Sequence, residues 1–195
     1  MSLTMADSTP QEPEFYRFEP TSDSPNNVMP VLVYRSAFST TMAIGELRNI
    51  IQRNRWHPDG HSEVNKTPLF NSSMHEMHAI VRGRCQLLVG GSQYGPPPGM
   101  MIYLSAGDII VYPAGVSHCV VNAENYEYVT FLPEKSGKRD SCQPRAFNPK
   151  EMKQLQKNIS KVFCPKHDPL SGKEGPLVEI WRLAVVQDNI AANWW

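Results

Sequence analysis

Gly107-Asp108-Ile109-Ile110-Val111-Tyr112-Pro113-Ala114-Gly115-Val116-Ser117-His118-Cys119-Val120-Val121-Asn122 reads as two short strands folded about one turn. Gly107 permits a tight entry into the first strand, and Pro113 ends it because proline cannot donate to a ladder. Gly115 supplies the turn, and His118 opens the returning strand. In a closed barrel alternate residues face inward, which places His118 in the interior beside Val120 and Asn122.

The same texture continues on both sides. His75 to Val81, Cys85 to Val89, Met100 to Leu104, Asp108 to Tyr112, Ser117 to Val121 and Tyr126 to Leu132 are strand-like. Arg82-Gly83, Gly90-Gly91, Ala106-Gly107 and Pro113-Ala114-Gly115 separate them, and Ser92 to Gly99 with its three prolines is an exposed loop. Met29 to Tyr34 reads as a first strand, with Pro30 suited to an edge. Strands this short and evenly punctuated, without long helical patterns between them, predict an all-β sandwich or barrel.

The flanks differ. Residues 1–27 are polar and proline-containing and are expected as a flexible arm. Leu47, Ile50 and Ile51 predict a short helix over Gly45 to Asn54, and Arg55 to Pro68 reads as a loop. Asn148-Pro149-Lys150-Glu151 has the form of a helix start, with an amide cap, proline in the first turn and a glutamate to close a capping box. Cys164 to Gly175 reads as a loop, Pro176 to Val186 as a final strand, and 187–195 as a tail. One domain over 28–186 accounts for the chain. Met5 serves as well as Met1 for its natural start, which would make Met1 to Thr4 an addition.

Composition narrows the classes. Lys plus Arg and Asp plus Glu balance at 19 each, so no bulk positive field recruits nucleic acid or an anionic membrane. No apolar run reaches the roughly 18 residues of a spanning helix, and the N-terminus lacks the pattern of a secretion signal. Cys85, Cys119, Cys142 and Cys164 show no CxxC pairing and are expected as reduced thiols of a cytoplasmic protein. No serine sits in a nucleophile elbow and no glycine-rich phosphate loop is present, which leaves no warrant for hydrolase or nucleotide chemistry.

Gly107 to Asn122 resembles the second conserved motif of the cupin superfamily, G(x)5PxG(x)2H(x)3N, at every specified position. The resemblance implies a single jelly-roll β-barrel with a few short flanking helices, and makes His118 an interior metal ligand. The first cupin motif, HxH(x)3–4E(x)6G, is matched in its second half by Glu76 and Gly83. Leu69 and Asn71 stand where its two histidines belong. Leucine cannot coordinate a metal, and Asn71 is at best a weak neutral oxygen donor. The chain also resembles the YjlB-like single-domain cupins, through Pro25-Asn26-Asn27 with Pro30, Leu32 and Tyr34, through His75-Glu76, and through Pro165, Asp168-Pro169, Gly172, Gly175-Pro176-Leu177 and Trp181. That family brings no established activity. Cupins commonly pair through barrel edges and termini, so a homodimer is the expectation.

Alternation along the strand puts Glu76 and His78 on one face and His75 on the other. With His118 they offer two imidazoles and a carboxylate, the donor set of many non-haem iron sites. Three readings stay open. A structural protein whose barrel chiefly presents a dimer surface is weakened by the intact Glu76 and His118. The other two are sharper. In one the chain is a metal-dependent oxygenase or isomerase using Glu76, His78 and His118 to hold iron, manganese, nickel or zinc, or using Glu76 as a general base in the absence of metal. In the other, which ranks first, the metal site is remodelled or degenerate and the barrel keeps a polar interior pocket for a small organic ligand. Elsewhere His57 and His61 read as a surface turn, Cys119 as a buried thiol, Trp56, Phe70 and Tyr112 as core, and His167-Asp168 as a turn.

Overall fold

The computed structural model describes residues 12–60, 64–91 and 99–192, the last with side chains as far as Asn189. The expectations for Met1 to Thr4 and His61, and most of that for the Ser92 to Gly99 loop, therefore concern positions outside the described residues. Seven strands form one antiparallel sheet: β1 Glu14–Phe18, β2 Asn27–Tyr34, β3 Trp56–Pro58, β4 Glu76–Val89, β5 Met100–Ser105, β6 Ile109–Tyr112 and β7 His118–Pro133. Among the described residues three helices flank it: α1 Ile44–Arg53, α2 Pro149–Ile159 and α3 Pro176–Ala192. The sheet order is β1-β2-β6-β4-β7-β3, with β5 also on β4.

The expected all-β fold is present, and its curl can be read from one pair of contacts. A flat strand as long as β4 would span roughly 40 Å. Yet His118, paired with Val89 at the far end of β4, meets the side chain of Glu76 at its near end, 3.0 Å away. The β4–β7 ribbon must bend round on itself to allow this. The turn from Tyr112, itself opposite Glu76, to His118 spans the gap.

Both faces of the sheet are buried, which explains why its strands read as continuous apolar runs. Leu32 and Tyr34 of β2, Met77 and Ala79 of β4, and Ile109 and Val111 of β6 pack outward with Leu47 and Ile51 of α1 and Leu177 and Trp181 of α3. Their alternates Val31, Val33, Ile80, Ile110 and Tyr112 pack inward with Leu87, Ile102 and Leu104. Glu76 and His78 share the parity of Ile80, so the alternation that builds the core also aims them at the interior.

Several expectations change. The strands expected as His75 to Val81 and Cys85 to Val89 are one strand, β4, and those at Ser117 and Tyr126 are one strand, β7. Gly83 does not end β4; it passes through a register irregularity with φ +69°. A methyl group there would strike the backbone oxygens of Glu124 and Asn125. Gly83→Ala is expected to cost about 2 kcal/mol in a urea melt, from the left-handed backbone and this clash together. An unchanged midpoint would show that the ribbon relaxes there freely.

The polar arm contains β1, which pairs with β2 through Glu14↔Val33 and Tyr16↔Val31. Pro30 is accordingly not at a sheet edge. It falls where the β1 register shifts between Tyr16 and Phe18, a position with no ladder bond to lose. The loop after α1 includes the short strand β3, paired with the end of β7. Asn122 is exposed rather than interior, because register shifts in β7 break the simple alternation. The expected final strand is helix α3, which runs on to Ala192 through part of the expected tail. Its β-rich composition misleads, but Leu177, Trp181 and Ala184 are buried at helical spacing against the sheet. α2 is as expected: Asn148 accepts from the amides of Lys150 and Glu151, and Glu151 closes the capping box.

Candidate metal centre

Glu76 and His78 open β4, and His118 opens β7. Glu76 Oε1 lies 3.0 Å from His118 Nε2 and 3.4 Å from His78 Nε2. The three donor atoms all fall within 4.8 Å of one another. Glu76 and His78 are buried and His118 is half-buried. Tyr112 stacks on the His118 ring at 3.9 Å and 13°, and Tyr128 packs on His78 at 4.4 Å, so both imidazoles are held in plane.

The other carboxylate oxygen is engaged separately. Glu76 Oε2 accepts from Asn71 Nδ2 at 3.1 Å and from Arg139 Nη1 at 2.8 Å. Arg139 Nη2 reaches Asp59 Oδ2 at 2.6 Å. Asn71 Oδ1 accepts the backbone N–H of Ser141 at 3.1 Å. Its oxygen is thus committed to the backbone, and its NH2 group is what it presents to Glu76. An amide nitrogen is no metal donor, so Asn71 holds the ligand carboxylate instead of serving as a weak ligand itself. Leu69 contributes only its backbone, bonded in both directions to His118.

Segment 69–73, which lacks the expected histidines, has become the seat of a loop. Phe70 exchanges backbone bonds with Cys142, Ser72 binds the Asp140 carboxylate through its N–H and its hydroxyl, and Ser73 binds the carbonyl of Lys138. These attachments on either side of Arg139 deliver its guanidinium to Glu76.

Burial alone would push the Glu76 carboxyl up, but hydrogen bonds from His118 and His78 outweigh it and hold the group well below the usual carboxylate range. Burial pulls His78 down, against the attraction of Glu76, which favours the neutral imidazole that metals bind. Arg139 is raised: burial acts to lower it, and the charges of Glu76 and Asp59 prevail.

These residues fit a metal. The carbonyl of Val116 lies 3.4 Å from His118 Nδ1, the side on which a second hydrogen bond fixes a ligating histidine. A proton on His118 Nε2 joins it to Glu76 Oε1 at 3.0 Å as a hydrogen bond; with the proton on Nδ1 instead, both lone pairs are free to share one cation. Two donors about 2.1 Å from one ion, at right or tetrahedral angles, lie roughly 3.0–3.4 Å apart. Those are the spacings of Glu76 to His118 and to His78.

The adjoining cavity measures about 40 Å³ and is lined by Glu76, His78 and His118 together with Arg139, Tyr126 and Tyr128. Other sequence candidates lie elsewhere. His57 is exposed, and His75 faces the opposite side of β4, where its Nδ1 accepts from the N–H of Ala114 and its ring meets Trp181 at 4.8 Å. Cys119 is buried and free, and Trp56 and Phe70 are core. His167 offers its carbonyl to Trp56, while Asp168 is a buried turn residue. Arg139 and Asp59 were not anticipated as site residues. In sequence Arg139 is one charge in a polar, glycine-punctuated loop, and only the unpaired charge of an inward Glu76 hints at it.

No protein-family model matches the chain. Among solved structures it is similar to an 11S globulin from Wrightia tinctoria, at 17% identity and TM-score 0.33 over 69% of this chain and 30% of that one. It is also similar to the vicilin of Corylus avellana, hazelnut, at 11% identity and TM-score 0.34 over 75% of this chain and 42% of that one. The chain spans less than half of either globulin, and the architecture described above rests on strand pairing, not on these overlaps. A similarity covering both chains is that to the uncharacterized protein YjlB of Bacillus subtilis (strain 168), 27% identical over 172 residues, 88% of this chain and 98% of that one.

Proposed function

We propose that this chain is a metal-binding, cupin-like barrel protein in which Glu76, His78 and His118 hold a divalent iron, manganese, nickel or zinc ion beside a cavity for a small ligand. The contact between Glu76 Oε1 and His118 Nε2 carries the reading, since the pair sits at the spacing of two ligands on one ion. A bound ion would supply Lewis acidity at the positions these donors leave open. The chain's own residues do the rest. Asn71 and Arg139 fix the carboxylate, Tyr112 and Tyr128 fix the imidazoles, and the burial of Glu76 and His78 limits their contact with bulk water.

Two imidazoles and one carboxylate favour an oxygenase among the enzymatic readings, because that set leaves positions free on non-haem iron. Glu76 is poorly suited to act as a general base without metal. Its carboxyl lies well below the usual range, and both oxygens are already engaged. A pocket for a larger organic molecule would need Arg139 to withdraw, since about 40 Å³ is far below the several hundred of a typical ligand site.

Elemental analysis of protein purified without chelator is expected to show near-stoichiometric metal. His118→Ala should weaken retention by at least ~100-fold, more than the loss of an outer hydrogen-bond partner does. Metal content unchanged by that substitution would remove His118 from the ligand set. Four free cysteines support a reducing compartment, the cytoplasm, as the setting. Exposed Phe15, Met100 and Tyr103 give a second copy an apolar surface, which supports the homodimer; a monomeric mass across micromolar concentrations would overturn it.

A further inference from the structure

The cavity beside the three donors has a chemical bias of its own. Tyr126 lines it, and the buried Tyr126 hydroxyl has only the Cys85 thiol, a weak partner, beside it and no oxygen or nitrogen partner among the described residues. Buried hydroxyls seek strong partners, so one in a cavity wall that meets only a thiol can take a better acceptor placed in the cavity. Arg139 lines the same cavity and carries five N–H donors, two of which meet Glu76 and Asp59. Glu76 and Asp59 are thus turned toward Arg139, while Arg139 and Tyr126 give the cavity wall its donors.

Charge points the same way. Glu76 and Asp59 contribute two negative charges and Arg139 one positive. Asp59 and Arg139 are exposed and offset each other. A divalent ion on neutral imidazoles beside buried Glu76 would thus leave about +1 at the buried donors, which is costly unless paired. Size sets the remaining limit. At roughly 10–15 Å³ per water, a cavity of about 40 Å³ holds the volume of two to four waters. That matches an anion of three or four heavy atoms and no larger metabolite.

We propose that this cavity receives a small carboxylate or carbonate monoanion, of formate or bicarbonate size, between the metal position and the donors Arg139 and Tyr126. The proposal rests on the metal reading above and names the ligand class of the same site. Arg139 recognises the anion while its ion pairs to Glu76 and Asp59 keep the guanidinium in place. Tyr126 donates the second hydrogen bond.

The test uses the full chain loaded with cobalt(II), whose visible spectrum reports on its ligands, and titrates it with sodium formate at constant ionic strength. Formate is expected to shift the spectrum saturably, whereas isosteric but neutral formamide should not. Tyr126→Phe removes only the hydroxyl and should weaken formate several-fold. Arg139→Gln, checked for folding by circular dichroism, should weaken it at least tenfold, the scale of one charge-assisted hydrogen bond. Formamide binding as well as formate, or equal formate affinity in wild type and both variants, would overturn the anion site. Cobalt content is measured separately. Failure to bind cobalt near one equivalent overturns the metal reading and this inference with it, whereas normal cobalt content with no response to formate overturns the inference alone.

Discussion

Asp168→Ala is expected to destabilise the fold by about 4 kcal/mol, a large share of the roughly 5–15 kcal/mol that a domain of this kind commands. Asp168 is fully buried, and its carboxylate accepts four hydrogen bonds. Oδ1 takes the backbone N–H groups of Leu170 and Ser171 at 2.8 and 2.9 Å. Oδ2 takes the Tyr34 hydroxyl at 2.5 Å and the N–H of Leu177 at 3.0 Å. Alanine would orphan all of these donors out of reach of water, and each buried donor left unpaired costs about 1–3 kcal/mol. Partial relaxation of the loop sets the expected total below the sum. Asp168→Asn should cost about half as much: one oxygen can still serve the loop, but the amide NH2 then confronts either Leu177 or Tyr34. Urea unfolding of the three proteins measures both values. A loss below about 1 kcal/mol in Asp168→Ala would show that the turn re-forms without its centre.

The same node explains why two distant stretches of sequence share one pattern. Tyr34 closes the first stretch and Asp168 lies near the start of the second, and the two side chains meet. Trp181, at the end of the second stretch, donates its indole N–H to the carbonyl of Pro30 in the first. Gly175 lies so near the Asp168 side chain that a methyl group there would collide with it. Pro30, Tyr34, Asp168 and Trp181, among the residues behind the YjlB-like resemblance, therefore anchor α3 to β2 on the outer face of the sheet. Glu76 of the same set faces inward.

What could be read in advance follows from the range of the physics. Gly107, Pro113 and Gly115 act within a few residues, and the turns they predict are present. The alternation that puts Glu76 and His78 on one face is equally local. Their meeting with His118 is not, since it depends on the curl of the β4–β7 ribbon, and it was reachable only through the resemblance. Arg139 lies 63 positions from Glu76, and no periodicity links such a pair. Nor could spacing show that the backbone of Ser141 claims Asn71 Oδ1, a detail that decides whether Asn71 binds metal or a carboxylate. α3 was misread for a related reason. Its valines and isoleucines suit a strand, and what selects the helix is an Asp168 cap on Leu177 and a slot for Trp181, both built by distant segments.

The stability of the fold should also fall steeply in mild acid, and His75 should be a principal cause. Burial holds its imidazole down at about 3, from an ordinary 6.5. Between those values the unfolded chain takes up a proton at this position and the folded chain does not. The unfolded state therefore binds more protons, and stability declines as pH drops from about 6.5 toward 3, at up to ~1.4 kcal/mol per pH unit. The contribution is constant above that window and again below it. Between pH 6.5 and 4.5 the expected loss from His75 alone is about 2–3 kcal/mol. The residue carries this liability because the N–H of Ala114, in the turn before His118, needs a buried acceptor and finds it in His75 Nδ1. His75→Asn places an amide oxygen near that nitrogen and cannot titrate. The variant should be less stable at pH 7.5, having lost the ring packed on Trp181. Its free energy of unfolding should nonetheless fall more gently with acid, so that the gap from wild type narrows by about 2 kcal/mol at pH 4.5. His78 and the carboxylates titrate in both proteins and drop out of the difference. Parallel stability curves from pH 7.5 to 4.5 would mean that His75 gains its proton without opening the core, and would take from this turn its sensitivity to acid.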